Sequence, residues 1–144
     1  GSQHLVNASV RGEKMLIIVA NNTNYGMTGG QMSPTTMPGQ RTETTPYGRD
    51  CEVTGKPAKG AEMVAAIANP EKSYVARASV SNLRALRKTF TKALKNVEMG
   101  GFPFVEVLSL CPLNWRTNNV DTWGRLKQME ECFEVKEFLS REGL

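Results

Sequence analysis

Two asparagines, a glycine-rich turn and one cysteine are the residues of this chain best suited to chemistry. Asn21 and Asn22 close the apolar run "MLIIVA". The carboxamide oxygen of Asn is a neutral, hard donor suited to Mg²⁺ or Ca²⁺. The same pair also suits an Asx turn that simply ends a strand. Next comes "YGMTGGQ", residues 25–31. Glycines let the backbone approach a ligand, and successive N–H groups in such a turn form a nest for phosphate. A plain tight turn uses the same residues. No Gly-Lys-Ser/Thr ends the stretch and the G-x-G-x-x-G spacing is missing, so it is neither a P-loop nor a dinucleotide fingerprint. Cys111 stands before a proline in "LSLCPLNW". It reads either as a small buried hydrophobe or as a thiolate, acting as a nucleophile or as one ligand of a cluster completed elsewhere. Cys51 and Cys132 read as structural or incidental. The only histidine is His4, which leaves no central His base and no multi-His metal site.

The totals narrow the class. The chain has 144 residues, a formal net charge of +4 and 40% apolar residues, which suits one globular domain. Lys and Arg do not cluster with aromatics, so nucleic acid is a poor partner. No apolar run approaches a membrane span. The start lacks the apolar core of a signal peptide. Three scattered cysteines without a C-x-x-C pair exclude a zinc ribbon and argue against a disulfide framework. A reducing, cytoplasmic compartment is expected. Two charged faces stand out: Arg84, Arg87, Lys88, Lys92 and Lys95, and the acidic Glu130, Glu131, Glu134 and Glu137. Both suit a solvated face or a docking surface of opposite sign.

These residues need elements to hold them. Leu5, Val6 and Val10 predict a helix over 3–11, stopped by Gly12. "MLIIVANN", 15–22, predicts a strand buried on both faces of a parallel sheet. From 25 to 60 periodicity vanishes, which predicts a long loop facing a cofactor or another subunit. A short helix is expected over 60–70, ended before Pro70, and a strand over 73–80. Ser81 is expected to cap a helix whose apolar face is Leu83, Leu86, Phe90, Leu94 and Val97. A strand over 102–111 and a helix over 120–133 complete the pattern. Strands separated by helices predict an α/β fold, with a mostly parallel sheet and helices on both faces. Ligands then sit after the strands that end at Ala20 and near Cys111.

At "NNTNYGMTGGQMSPTT" (21–36), "TTPYGRD" (44–50), "FVEVLSLCPLNW" (104–115) and "VKEFLSREGL" (135–144), the chain resembles the thiamine-diphosphate-binding beta subunit of the 2-oxoacid:ferredoxin oxidoreductases. Within that family it is most similar to the branch acting on branched-chain 2-oxo acids or 2-oxoglutarate. The resemblance implies the C-terminal portion of a thiamine-diphosphate-binding module, over 1–144. It implies thiamine diphosphate held through Mg²⁺, with the Asn22 side chain and the Asn24 carbonyl as metal ligands. It places Tyr25, Gly26, Met27 and Thr28 along the cofactor, with Met27 and Thr28 on the reacting side and Gly29, Gly30 and Gln31 shaping the turn. Cys111 matches the last ligand of a [4Fe–4S] cluster whose other cysteines lie outside this chain. The family's Gly-Asp-Gly turn is absent here and is expected a few residues before Gly1, so the chain is expected to lack the subunit's N-terminal part.

The implied activity is oxidative decarboxylation of a 2-oxo acid to an acyl-coenzyme A, with electrons passed to ferredoxin. The implied partners are an alpha subunit and, in some members, gamma and delta subunits. Two other classes stay open: a non-oxidative thiamine-diphosphate enzyme, and a non-catalytic domain that kept the fold without the cofactor.

Overall fold

The computed structural model describes residues 1–144. In chain order the elements are α1 (Ser2–Arg11), β1 (Ile17–Asn21), β2 (Asn24–Tyr25), β3 (Gln31–Met32), α2 (Cys51–Thr54), α3 (Gly60–Ile67), β4 (Ser73–Ser79), α4 (Leu83–Glu98), β5 (Phe102–Leu108), α5 (Pro112–Trp115), α6 (Asn119–Cys132) and β6 (Glu137–Ser140). They divide into two compact units, each assembled from separate stretches of chain. The first takes residues 1–20, 60–107 and 135–144; the second takes 21–59 and 108–134.

The first unit carries the sheet, with strand order β1-β5-β4-β6. The Phe102 N–H donates to the Lys72 carbonyl, joining the starts of β5 and β4. Like ends meeting is the mark of a parallel pair, since antiparallel strands would bring start against end. β6 runs antiparallel to β4, with a register irregularity between Val75 and Ala76. The sheet is therefore mixed and α/β, as expected, with β6 as the element that periodicity missed. Both central strands, β4 and β5, are buried along their whole length.

Alternation along these strands feeds two cores. Val75, Phe102 and Phe104 point to one face, where Ala61, Val64 and Ala68 of the α3 region cover them and Leu5 and Ala8 of α1 pack alongside. Tyr74, Ala76, Val105 and Val107 point to the other face, covered by Leu86, Phe90 and Ala93 of α4. Helices thus lie on both faces.

Three local expectations change. β1 is an edge strand, and Ile18 is 52% exposed rather than buried on both sides. The apolar run that looked like a central strand has only one neighbour here. α4 is capped by Asn82, whose Oδ1 accepts the Ala85 N–H at 3.0 Å, not by Ser81. Its inner face follows Leu86, Phe90, Ala93 and Val97, while Leu83 is 71% and Leu94 55% exposed. Leu83 is the first residue of the helix, and Leu94 lies at the margin of its apolar stripe. α1, by contrast, ends as expected: Gly12 takes the left-handed conformation at φ 64°, which suits a residue without Cβ.

The second unit fills the long segment predicted to lack structure. It holds the β2–β3 hairpin, paired Asn24 to Met32 and Tyr25 to Gln31, and the one-turn helix α2. Arg49 orders the rest. Its buried guanidinium donates to the carbonyls of Pro34, Thr36, Gly55 and Lys56 and to the Thr54 hydroxyl. α5 and α6 complete the unit. Thr122, Leu126, Met129 and Phe133 are buried at helical spacing, and Asn118 caps α6 by accepting the Asp121 N–H.

Candidate cofactor-binding site

The second unit begins at residue 21, the last of β1, and resumes at residue 108, the last of β5. Its two stretches meet: the Ser109 N–H donates to the Asn21 carbonyl at 2.9 Å. The asparagine pair divides its roles. Asn21 is buried, and its Oδ1 accepts the Thr23 N–H at 3.0 Å and the Thr35 hydroxyl at 2.9 Å. That is the Asx turn, and it sets Thr23 at φ 61°, a conformation uncommon for a β-branched residue. The Thr23 carbonyl is held in turn by the Thr36 hydroxyl at 2.6 Å and by Gln40 Nε2.

Asn22 is left to do something else. Its Oδ1 has only a long contact, 3.4 Å, from the Asn24 N–H. Asn24 is 7% exposed and its Oδ1 has no hydrogen-bond partner. A buried amide oxygen without a donor costs free energy unless a ligand satisfies it. Two neutral hard oxygens two residues apart therefore stand available to a cation.

The hairpin tip supplies the opposite preference. The Gly30 N–H closes on the Tyr25 carbonyl and the Gly29 N–H on the Gly26 carbonyl. The Thr28 hydroxyl donates to Gln31 Oε1, and Gln31 Nε2 donates back to the Thr28 carbonyl. The N–H groups of Met27 and Thr28 find no acceptor in the chain, as an anion nest requires. The Met27 side chain is fully exposed, at 100%, and Tyr25, Thr28 and Gly29 are exposed as well. A Cβ on Gly26 would come within 3.0 Å of Asn114 Nδ2 and 3.2 Å of Asn22 Nδ2; one on Gly30 would meet Asn114 Oδ1 at 2.8 Å. Both glycines leave space that the asparagine side chains occupy, and Gly30 also takes a positive φ of 89°.

Asn114 and Trp115 were quoted in the sequence motif but given no role there, and they tie the site together. Asn114 Nδ2 donates to the Gly26 carbonyl and approaches Cys111 Sγ, both at 3.2 Å. Trp115 Nε1 donates to the Asn22 carbonyl at 3.0 Å. Cys111 thus lies beside the glycine turn. The only sequence signal for Asn114 and Trp115 was their place in "LSLCPLNW"; in the structure they are the last two residues of α5. Cys51 and Cys132 do not join them, no disulfide links the three cysteines, and no three His, Cys, Asp or Glu side chains converge anywhere. The site offers neutral oxygens, backbone donors and one thiol, a set that suits a cation and a phosphate bound together.

Comparison with known proteins gives this set a context. Residues 2–107 match the family model for the thiamine pyrophosphate enzyme C-terminal TPP-binding domain. The chain is 39% identical to the ketoisovalerate oxidoreductase subunit VorA of Methanothermobacter marburgensis, over 98% of this chain and 30% of that protein. It is 35% identical to the 2-oxoglutarate synthase subunit KorB of Methanothermobacter thermautotrophicus, over 100% of this chain and 44% of that one. A solved structure of 2-oxoglutarate:ferredoxin oxidoreductase from Magnetococcus marinus, with 2-oxoglutarate, coenzyme A and succinyl-CoA bound, superposes with a TM-score of 0.64 at 28% identity, covering 85% of this chain and 38% of that one. The chain spans less than half the length of each of these relatives. With the matched family model covering most of its length, the chain belongs to the C-terminal TPP-binding domains of thiamine pyrophosphate enzymes.

Proposed function

We propose that this chain forms part of the thiamine-diphosphate-binding subunit of a 2-oxoacid:ferredoxin oxidoreductase, and that Asn22 and the 24–31 hairpin hold the cofactor's diphosphate through Mg²⁺. The observation that carries this reading is the buried, unpartnered Asn24 Oδ1 beside the nearly unengaged Asn22 Oδ1. Those oxygens fit a hard cation, and the free N–H groups of Met27 and Thr28 fit a phosphate. Asn24 had been expected to contribute its backbone carbonyl; its side chain is the atom in need of a partner. Thiamine diphosphate supplies the nucleophilic carbon and the electron sink for decarboxylating 2-oxo acids.

This chain's own residues bind and orient. Gly26 and Gly30 keep the turn free of side chains where Asn114 packs against it. Asn114 and Trp115 fix the carbonyls of Gly26 and Asn22 from the α5 side. Met27 and Thr28 stand at the exposed tip, free to face a substrate held by an alpha subunit. No group of three His, Cys, Asp or Glu side chains gathers in this chain, so what Asn22 and Asn24 offer the cation is neutral oxygen. Cys111 offers one thiolate, whereas a [4Fe–4S] centre needs about four. The cysteines of this chain do not make a cluster site by themselves, and no electron-transfer step is derived through one. Ferredoxin, coenzyme A and a cytoplasmic location belong to the same proposal. The identities to VorA and KorB support a branched-chain 2-oxo acid or 2-oxoglutarate as the substrate class.

Calorimetric titration of the protein carrying this chain with thiamine diphosphate, with and without Mg²⁺, tests the reading. Asn22→Ala should weaken the Mg²⁺-dependent binding at least tenfold while the unfolding midpoint stays put. Heat of binding that ignores both Mg²⁺ and Asn22 would show a different cradle; no heat at all would favour a domain that kept the fold without the cofactor. In the assembled complex, 2-oxo acid-dependent reduction of ferredoxin separates the oxidative from the non-oxidative reading.

A further inference from the structure

The second unit also holds a polar cavity, of about 540 Å³, walled by Arg41, Glu43, Asn114, Trp115, Arg116 and Arg125 among others. Its volume falls in the range of small-molecule sites. Three arginines against one glutamate leave a net charge of +2 on these walls. Glu43 pairs with Arg116. Arg41 and Arg125 have no acidic partner. Arg125 is half-buried, with its guanidinium over the Trp115 ring at 5.7 Å, and burial pushes its pKa below the usual arginine range. A guanidinium stays charged under such a shift. Arg125 is therefore a partly desolvated cation with an aromatic face behind it and an open cavity in front.

We propose that this cavity is an oxyanion site, in which Arg125 and Arg41 bind a phosphate or carboxylate group of an organic ligand. Guanidinium forks recognise both groups with paired hydrogen bonds. The cation–π contact orients Arg125 without neutralising it. Arg116 is the reserve: its charge is already taken by Glu43, and an arriving anion competes with that carboxylate. Asn114 lines the cavity and also bonds the Gly26 carbonyl, so an occupant there lies next to the proposed diphosphate cradle, while the charged groups that would bind it belong to the cavity alone. The inference extends the proposed function without needing it, because Arg41 and Arg125 are charged and lack an acidic partner whatever the hairpin binds.

The experiment titrates inorganic pyrophosphate and, separately, glutarate into the protein carrying this chain, first alone and then saturated with thiamine diphosphate and Mg²⁺. At least one probe should bind in both forms, weaken several-fold on raising NaCl from 50 to 200 mM as charge pairing requires (a fall of about that order), and lose at least tenfold in affinity in Arg125→Gln. Arg41→Gln keeps the test sound if Arg125→Gln misfolds, since Arg41 is exposed and its side chain makes no hydrogen bond or ion pair; it should lose at least threefold. Which probe saturates tells a phosphate-bearing ligand from a dicarboxylate. Binding of neither probe, or equal affinity in parent and Arg41→Gln, overturns the proposal. Loss of thiamine diphosphate binding with the probe still bound sinks the cradle and leaves the oxyanion site standing; the converse result does the opposite.

Discussion

At the scale of single residues, two adjacent asparagines of one type do different things because one is buried in the turn and the other is not. Asn21 spends its carboxamide oxygen on the Thr23 N–H and the Thr35 hydroxyl, which leaves Asn22 as the oxygen a ligand can reach. Gly30 is the second informative residue. It sits at φ 89°, and a Cβ there would meet Asn114 Oδ1 at 2.8 Å. Gly30→Ala should therefore cost about 1–3 kcal/mol from backbone strain, read as a lower urea midpoint with an unchanged slope. It should also disturb the Asn114 contacts to Gly26 and Cys111. Were the variant as stable as the parent, the tight approach of Asn114 would not exist in solution.

At the scale of elements, helix ends and strand edges decide most of what differs from a pattern-based reading. α4 is amphipathic, but Leu83 at its first position and Leu94 at the margin of its apolar stripe stay largely in water. Ser81 and Asn82 both suit an N-cap by residue type; the geometry selects Asn82. Asn82→Ala should destabilise by about 1 kcal/mol and Asn82→Ser should recover most of it, measured by thermal unfolding of the two variants. Lys92, expected as part of a solvated basic face, instead holds Glu137 of β6 at 2.8 Å, and Lys95 reaches the Gly143 carbonyl. Part of the basic face thus fastens the last strand, which the alternation of residues 137–140 was too short to announce.

At the scale of the whole molecule, the sheet unit is built over a buried charge cluster. Arg77 of β4 is fully enclosed and bonds Glu106 of β5 at 2.9 Å and Glu62 of α3. Glu106 also accepts the Ala61 N–H at the start of α3, and the Phe138 ring lies 5.1 Å from the guanidinium. Burial alone lowers the Arg77 pKa, but the two carboxylates outweigh it and raise the value overall. Three elements and β6 therefore meet on one cation. Arg77→Met leaves two carboxylates facing each other, one of them buried. It should cost about 3–5 kcal/mol, whereas exchanging Arg77, Glu62 and Glu106 together for apolar residues should recover much of that loss. Chemical denaturation of both variants checks the pair of outcomes. A single variant as stable as the parent would mean the cluster is solvated.

How much of this was legible beforehand follows from which forces are local. Turn chemistry and period are written in neighbouring residues, so α1 with its Gly12 stop, the strands over 73–80 and 102–111, the helices on both faces and the glycine-rich turn at 25–31 could all be read from the chain. The resemblance carried by "NNTNYGMTGGQ" and "LSLCPLNW" rests on the same kind of local signal and points to these two stretches. What the tertiary structure alone decided depends on residues brought together by the return of the chain. Asn114 meets Gly26 across 88 positions, Arg125 meets Trp115 over an open cavity, and β1 takes an edge where a continuous apolar run suggested a centre. A side chain's type and spacing state what it can bond; only its neighbours in space state which of those bonds are already made, and so which atoms are left for a ligand.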